Sequence, residues 1–228
     1  MSNEPTIPPD GIFAVYKDEG KTSHDVVDAV RKATGVKRVG HAGTLDPCAK
    51  GVLVVGVGRE ATKRLGTVAG TEKEYVTRVQ LGWRSTTDDR EGRKEEVTVS
   101  AIPTEDQVRA ALAGFVGVIS QRPPIFSALK VGGRTAYKLA RANKQIELSE
   151  RQVEAKEVEL IRYEWPFADI RLVTGSGFYV RSFARDLGEA LGTGGYVAQL
   201  ERTRVGEFTK ERAIPMEVVK TLSRPTAP

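Results

Sequence analysis

Residues 40–51 of the chain read Gly-His-Ala-Gly-Thr-Leu-Asp-Pro-Cys-Ala-Lys-Gly and stand directly before the apolar run Val-Leu-Val-Val at residues 52–55. A proline disfavours the helical region for the residue before it, so Asp46 is expected to be extended, and the glycines allow the backbone to approach a ligand closely. The segment therefore predicts a carboxylate held outward on a loop ahead of a buried strand. An Asp-Pro pair alone more often marks an ordinary turn, so the other motifs of the chain decide between the two interpretations.

The composition is that of a soluble globular protein. The chain has 228 residues, of which 39% are hydrophobic and 29% are charged. Its N-terminus is polar and its longest apolar run is too short for a bilayer, so we expect a cytoplasmic protein with no membrane partner. A single cysteine, Cys48, excludes an intramolecular disulfide, and the two histidines, His24 and His41, offer no zinc cluster. A protein without metal is expected.

Positive charge is segregated along the chain. The net charge is +5, and the isoelectric point is about 9.3. Residues 31–70 hold eight Lys and Arg against two acids, and residues 121–144 hold six against none. This distribution suggests a basic face that neutralises the phosphates of a nucleic acid, with an affinity that falls as salt rises. A merely solvated surface is the alternative, and charge alone does not decide between them.

Strands and helices are predicted to be interleaved along the chain. Strands are predicted at residues 11–16, 36–39, 52–57, 75–81, 153–163, 169–174 and 197–208. Helices are predicted at residues 23–34 with Ser23 as the N-cap, 61–68, 104–113 with a Thr104/Gln107 capping box, 135–142 and 178–191. The polar run 84–95 is predicted to be a long surface loop, and residues 121–124 an extended connection. This pattern is typical of an α+β protein.

Read at full length, residues 40–63 resemble the catalytic region of the TruB-type tRNA pseudouridine synthases, the TruB/Cbf5 family. The resemblance runs from about residue 11 to about residue 214. It recurs in order at Lys73-Glu74-Tyr75, Ser127-Ala128-Leu129-Lys130 and Gly177-Phe178-Tyr179-Val180-Arg181. It implies the pseudouridine synthase fold, with a central, largely antiparallel mixed sheet, flanking helices and a catalytic cleft, in one catalytic domain.

The resemblance implies isomerisation of uridine 55 in the T loop of tRNA, without a cofactor, by a protein expected to be monomeric. Asp46 matches the family's catalytic aspartate, which either attacks the ribose or removes a proton to form a glycal. Arg181 matches the active-site arginine that favours the charged carboxylate, and the alternative is an exposed arginine on a helix. Tyr75 matches the tyrosine that stacks on uracil near C5, and the alternative is a core tyrosine on a strand.

Further positions are implied to bind the substrate. His41 matches the histidine that packs into the RNA around the flipped base. Lys63 and Lys130 match basic positions that meet phosphate, although either could be simply exposed to solvent. Tyr179 and Leu200 match the apolar wall beside the uracil ring, and for Leu200 a core role is equally plausible. The family's substrate loop also includes Gly43, Thr44 and Leu45.

The chain departs from the family's pattern at three places. Lys17-Asp18-Glu19-Gly20 stands where many members have Lys-Pro-x-Gly, and a threonine within residues 86–92 replaces the usual first aspartate. The sequence also stops fourteen residues after Ile214, which leaves no length for the family's C-terminal RNA-binding module of the PUA type, so weaker tRNA binding is expected. An RNA-binding or tRNA-folding protein on the same scaffold, or a synthase for another RNA, remain the alternatives.

Overall fold

The computed structural model describes residues 8, 10–127, 129–131, 133–136 and 148–222. Its strands, in chain order, are β1 (Gly11–Lys17), β2 (Val39–Ala42), β3 (Lys50–Val57), β4 (Lys73–Leu81), β5 (Trp83–Ser85), β6 (Lys94–Glu96), β7 (Gly117–Gln121), β8 (Lys130–Val131), β9 (Arg134–Thr135), β10 (Arg151–Glu164), β11 (Phe167–Thr174), β12 (Gly195–Val205), β13 (Phe208–Thr209) and β14 (Ile214–Pro215). Its helices are α1 (Ser23–Thr34), α2 (Arg59–Ala69), α3 (Glu105–Ala113), α4 (Val180–Ala190) and α5 (Met216–Leu222). These elements confirm the predicted α+β class. In the described part of the chain, no helix is long and apolar enough to cross a bilayer.

Several predicted boundaries were wrong for local reasons. Helix α1 is capped by Thr22 rather than Ser23, because Thr22 and Asp25 form a reciprocal capping box. Strand β2 begins at Val39, three residues after the predicted start. The ends of the predicted surface loop 84–95 belong to the paired strands β5 and β6. Elements β7, β8, β9, β14 and α5 were not predicted. The predicted helix 135–142 falls mainly on residues outside the described ones.

The chain divides into two compact units, residues 1–75 with 201–228 and residues 76–200. In the first unit the strand order is β14-β1-β3-β12, with β2 also paired to β3. Strands β1 and β3 are antiparallel over seven residue pairs, whereas β3 and β12 are parallel. Residues 52–55 of β3 are fully buried, and each such aliphatic side chain contributes roughly 1.5–3 kcal/mol by leaving water. Helix α2 packs on this strand through Leu65.

In the second unit the strand order is β12-β4-β11-β10-β7. The pairs β10-β11 and β10-β7 are antiparallel, as the predicted largely antiparallel mixed sheet requires. Helix α4 buries Phe183, which meets Phe115 edge to face at 5.1 Å. At Gly188 of this helix, a Cβ atom would lie 2.1 Å from the backbone of Gly194. Glycine is therefore required where α4 meets the start of β12.

Candidate active site

The loop that carries Asp46 is held by hydrogen bonds to its main-chain atoms. Ser23, at the start of α1, both accepts from the Leu45 amide at 3.0 Å and donates to the Leu45 carbonyl at 3.1 Å. Within the loop, the Ala49 amide donates to the Asp46 carbonyl at 3.1 Å, which closes a turn. The Asp-Pro turn is therefore present, and it is one of the contacts that fix the loop.

Two buried cations bind the ends of this loop. Arg202 of β12 is 2% exposed and donates to the carbonyls of Gly43 at 3.1 Å and Val52 at 2.8 Å. Lys17 at the end of β1 is fully buried, and its ammonium donates to the carbonyls of Pro47 and Ala49. The loop is therefore anchored on both sides of Asp46 by charge-assisted hydrogen bonds, which are stronger than neutral ones.

The protonation of Lys17 is sensitive to pH because this side chain is buried. Burial lowers the pKa of Lys17 to about 8, although the nearby Cys48 and Asp46 act in the opposite direction. Its ammonium also donates to the carbonyls of Asp18 at 3.0 Å and Lys21 at 2.6 Å. The chain keeps the lysine of the Lys-Pro-x-Gly pattern, although the proline is replaced by Asp18. The four carbonyl contacts of Lys17 hold the segment 17–21 against the Asp46 loop.

The predicted substrate residues of the loop differ in exposure. Thr44 is exposed, Gly43 and Asp46 are half-buried, and Leu45 is 3% exposed. Gly43 has φ of +79°, a backbone conformation that favours glycine. The buried side chain of Leu45 holds the loop against the core. Thr44 is the most accessible of these four residues.

His41 lies on β2, one residue from the strand's end. It is half-buried and meets the exposed His24 edge to face at 6.1 Å. Its Nδ1 atom is buried and has no hydrogen-bond partner among the described residues. Burial, followed by the charges of His24 and Arg202, lowers the pKa of His41 and so favours the neutral form of the ring. A buried ring nitrogen of this kind is able to accept or donate a hydrogen bond to a ligand.

Tyr75 lies on the buried face of β4. Buried residues alternate with half-buried ones along this strand, and the buried set includes Lys73, Tyr75, Thr77 and Val79. Tyr75 is 7% exposed. Lys73 donates to the carbonyls of Ala69 and Thr71, and burial lowers its pKa to about 8. Burial of Tyr75 fits both a stacking platform and a core side chain, so its role stays a prediction.

Arg181, in the first turn of α4, is buried in the second unit. The alternative of an exposed helix arginine is wrong, because this residue is 6% exposed. Its guanidinium donates to the carbonyls of Phe126 at 2.8 Å and Thr87 at 3.3 Å. It also lies 3.6 Å from Oδ2 of Asp89. A buried arginine with this set of partners is fixed in orientation.

Asp89 is a functional candidate that was not predicted from the sequence. It is 4% exposed, and its Oδ1 accepts from the Thr87 hydroxyl and from the Glu91 amide. Lys94 binds the same loop through the carbonyls of Asp89, Arg90 and Gly92. The Asp89 carboxylate is thus oriented by contacts within its own loop as well as by Arg181. In the sequence, the only indication of this site was a pair of aspartates in a loop that contains glycine. Because the surrounding residues are polar, nothing in the sequence indicated that these aspartates are buried.

The remaining predicted residues occupy varied positions. Tyr179 is the N-cap residue of α4 and is half-buried. The side chain of the buried Gln121 accepts a hydrogen bond from the Tyr179 amide and donates one to the Tyr179 carbonyl. Leu200 on β12 is 9% exposed. Lys63 on α2 is exposed and pairs with Glu60 at 2.8 Å. Lys130 lies on β8, and its side chain is outside the described part of the structure.

The predicted residues are divided between the two units. His41, Gly43, Thr44, Leu45, Asp46, Lys63 and Tyr75 belong to the first, and Lys130, Tyr179, Arg181 and Leu200 belong to the second. The first unit brings the loop residues together with Lys17 and Arg202. The association of Asp46 with Arg181 stays a prediction from the sequence resemblance.

Comparison with known families identifies the chain. The model of the N-terminal domain of the TruB family pseudouridylate synthases matches residues 31–180. The chain belongs to the TruB family. The model of the tRNA pseudouridylate synthase B C-terminal domain matches residues 181–225 of this TruB-family chain.

Relatives and solved structures agree with this assignment. The TruB-family chain is 46% identical over 213 residues to a tRNA pseudouridine synthase B of Mycobacterium sp. (strain KMS), covering 92% of this chain and 71% of the relative. It is 47% identical over 216 residues to that of Thermobifida fusca (strain YX), covering 91% and 73%. Among solved structures, a Cbf5-Nop10-Gar1 complex matches with a TM-score of 0.71 and 28% identity. That match covers 95% of this chain and 60% of the solved one, and it confirms the predicted fold.

Proposed function

We propose that this chain is a tRNA pseudouridine synthase that converts uridine 55 of the T loop to pseudouridine. The reaction breaks the N1–C1′ bond, turns the detached uracil, and joins C5 to C1′. The proton at C5 is lost and N1 gains one, so the product is an isomer of the substrate. We infer that one catalytic domain, with a core over residues 11–214, does this as a cytoplasmic monomer whose partner is tRNA.

One observation carries the proposal: the loop bearing Asp46 is fixed through its main chain. Lys17, Ser23 and Arg202 bind carbonyls and amides of residues 43–49. A reacting group gains rate when its geometry is set before the substrate arrives, because the entropy of orientation has already been lost. This favours Asp46 as the group that acts on the ribose, as nucleophile or as base. A surface turn does not need two buried cations to hold it.

The other roles follow the family resemblance. We assign Tyr75 to stacking on the uracil and to proton relay near C5, and Arg181 to support of the catalytic charge. His41, Gly43, Thr44 and Leu45 receive the RNA around the flipped base. We assign Lys63 and Lys130 to phosphate contacts, and Tyr179 and Leu200 to the apolar wall beside the base.

The test is turnover on a defined substrate. The wild-type protein is incubated with an unmodified tRNA transcript, and pseudouridine is mapped by position. Asp46→Asn is expected to lose turnover, by roughly 10³-fold or more, because it removes the reactive charge while keeping the shape of the side chain. Its affinity for tRNA is expected to stay within about threefold of wild type, since the basic face is intact.

The matched control is Asp28→Asn. Asp28 is an exposed acid on α1 that pairs with Arg31 at 2.7 Å, and its loss should leave turnover unchanged. A wild-type protein that binds tRNA and leaves the T-loop uridine unmodified would favour the RNA-binding or tRNA-folding alternative. Appreciable activity in Asp46→Asn would show that another group carries the chemistry.

A further inference from the structure

A second arginine lies one helical turn below Arg181. Positions 181 and 185 of α4 are four residues apart and so share one face of the helix. Arg181 is 3.6 Å from Asp89, and Arg185 donates from Nη1 to Oδ2 of Asp88 at 2.9 Å. Neighbouring acids of one loop are therefore paired with neighbouring arginines of one helix.

Asp88 has an unusual backbone. Its φ is +59°, and it is the non-glycine residue with positive φ in the described part of the chain. Asp and Asn adopt the left-handed conformation more often than other non-glycine residues, and it persists where the surroundings enforce it. Here the Asp88 carbonyl accepts from the Val197 amide at 3.0 Å, and the side chain is held by Arg185. The strained residue is thus fastened by its main chain and by its carboxylate.

The Asp88–Arg185 pair is shielded from solvent. The two side chains are 15% and 23% exposed. Burial raises the pKa of Asp88, while the charges of Arg185 and Arg181 act to lower it. Arg185 has two further partners, Asp186 at 2.8 Å and the Arg122 carbonyl at 2.9 Å. Because it contacts two segments, Arg185 fixes where the Asp88 loop lies against α4.

We propose that Asp88 and Arg185 form a positioning pair that sets the carboxylate of Asp89 against Arg181 and thereby determines the rate of isomerisation. Asp88 and Asp89 are adjacent, so a change in the backbone at 88 moves the next carboxylate directly. The Arg181–Asp89 contact is already long at 3.6 Å. A displacement of about 1 Å at such a group lowers a catalytic rate by as much as 10²-fold. This inference rests on the proposed synthase activity.

The test separates charge from backbone conformation. Asn adopts positive φ about as readily as Asp, so Asp88→Asn removes the charge that pairs with Arg185 without adding an intrinsic backbone penalty at position 88. Arg185→Met removes the other partner and keeps an unbranched side chain. For each, the rate of pseudouridine formation is measured with tRNA saturated by enzyme, and the tRNA Kd is measured separately.

Both variants are expected to lose roughly tenfold in the single-turnover rate, with the tRNA Kd within about twofold of wild type. The double variant should lose no more than Arg185→Met, because the Asp88–Arg185 interaction is already absent in that variant. Arg185→Lys should recover part of the rate. Thermal denaturation establishes that each variant is folded, so loss of folded protein is not the cause of a slower rate.

The control pair is Arg78–Asp169, which joins β4 to β11 through two hydrogen bonds of 2.7 and 2.8 Å. Asp169→Asn should leave the rate unchanged. Rates of Asp88→Asn and Arg185→Met within twofold of wild type would overturn the proposal, as would additive losses in the double variant. Wild-type protein that binds tRNA without turnover would instead contradict the proposed function on which the inference rests.

Discussion

At the scale of the residue, Lys17 gives the candidate site a titratable anchor. Its ammonium contacts four carbonyls, two of them in the Asp46 loop, and its pKa is lowered by burial to about 8. The protonated form donates three hydrogens, whereas the neutral amine donates two and carries no charge. Deprotonation therefore loosens the loop within a pH range that is easily measured.

We predict opposite responses of activity and stability to rising pH. The single-turnover rate should fall as pH rises through about 8, with one ionisation. The folded protein binds fewer protons than the unfolded chain between about 8 and the ordinary value of 10.5, because burial disfavours the charged form. The contribution of Lys17 to the free energy of unfolding therefore rises across that window. Rates on tRNA and urea denaturation at matched pH values measure the two responses.

Lys73 provides the control, since burial also lowers its pKa to about 8. Lys17→Arg should move the alkaline fall in rate to higher pH, because guanidinium stays charged. Lys73→Arg should keep the fall where it is in the wild type. An unchanged profile in Lys17→Arg would assign the ionisation to another group.

At the scale of the element, strand β3 depends on one glycine at its start. Gly51 has φ of +117°, and a Cβ there would lie 2.2 Å from the carbonyl oxygen of Arg202 and 2.7 Å from its amide nitrogen. Both clashing atoms are backbone atoms of the paired strand β12, so rotation of a side chain cannot relieve them. This close approach also places Arg202 where it binds the Asp46 loop.

Gly51→Ala should therefore lower the free energy of unfolding by about 3 kcal/mol or more. It should also slow turnover in the protein that remains folded, since β12 must shift together with Arg202. The matched control is Gly66→Ala on α2, where the added Cβ meets no atom within 4 Å. That change should raise stability by roughly 0.5–1 kcal/mol through helix propensity. Denaturant titration of both variants measures the difference, and equal stabilities would refute the clash.

Most regular elements were predictable because their signals are local. The apolar run of β3, the Thr104/Gln107 box of α3 and the alternation of β4 each depend on a few adjacent residues. The cap of α1 was misplaced by one residue because Thr22 and Ser23 are both good caps; the capping box with Asp25 selects Thr22, and the Ser23 hydroxyl binds Leu45 instead. The hairpin β5-β6 carries polar residues whose pairing has no hydrophobic pattern.

The candidate site was predicted in part. Asp46 is found by its motif, but Arg202 lies 156 positions further along the sequence and acts on main-chain atoms, which leave no pattern to match. Asp89 and Asp88 looked like solvated acids because burial by α4 is a tertiary property. Residues that touch a substrate have recognisable types, whereas those that hold the site in place are distinguished only by their contacts.

At the scale of the whole molecule, the net charge of +5 bears on how the protein meets RNA. Helix α2 presents Arg59, Lys63 and Arg64 to solvent, within the basic segment 31–70. Lys63 is paired with Glu60, but an exposed pair of this kind contributes only about 0–1 kcal/mol. Its ammonium can therefore exchange Glu60 for a phosphate at little cost.

We predict that tRNA affinity falls steeply with salt and that Lys63→Gln reduces the slope. Each phosphate contact releases counterions, so the slope of log K against log salt should become shallower by about 0.7–0.9 when one contact is lost. Glu60→Gln should bind tRNA at least as tightly as wild type, because it removes a competing carboxylate. Lys220→Gln, an equal charge change at an exposed position of α5, serves as the control for net charge. Equal slopes in Lys63→Gln and Lys220→Gln would show that Lys63 acts only through net charge, without a phosphate partner of its own.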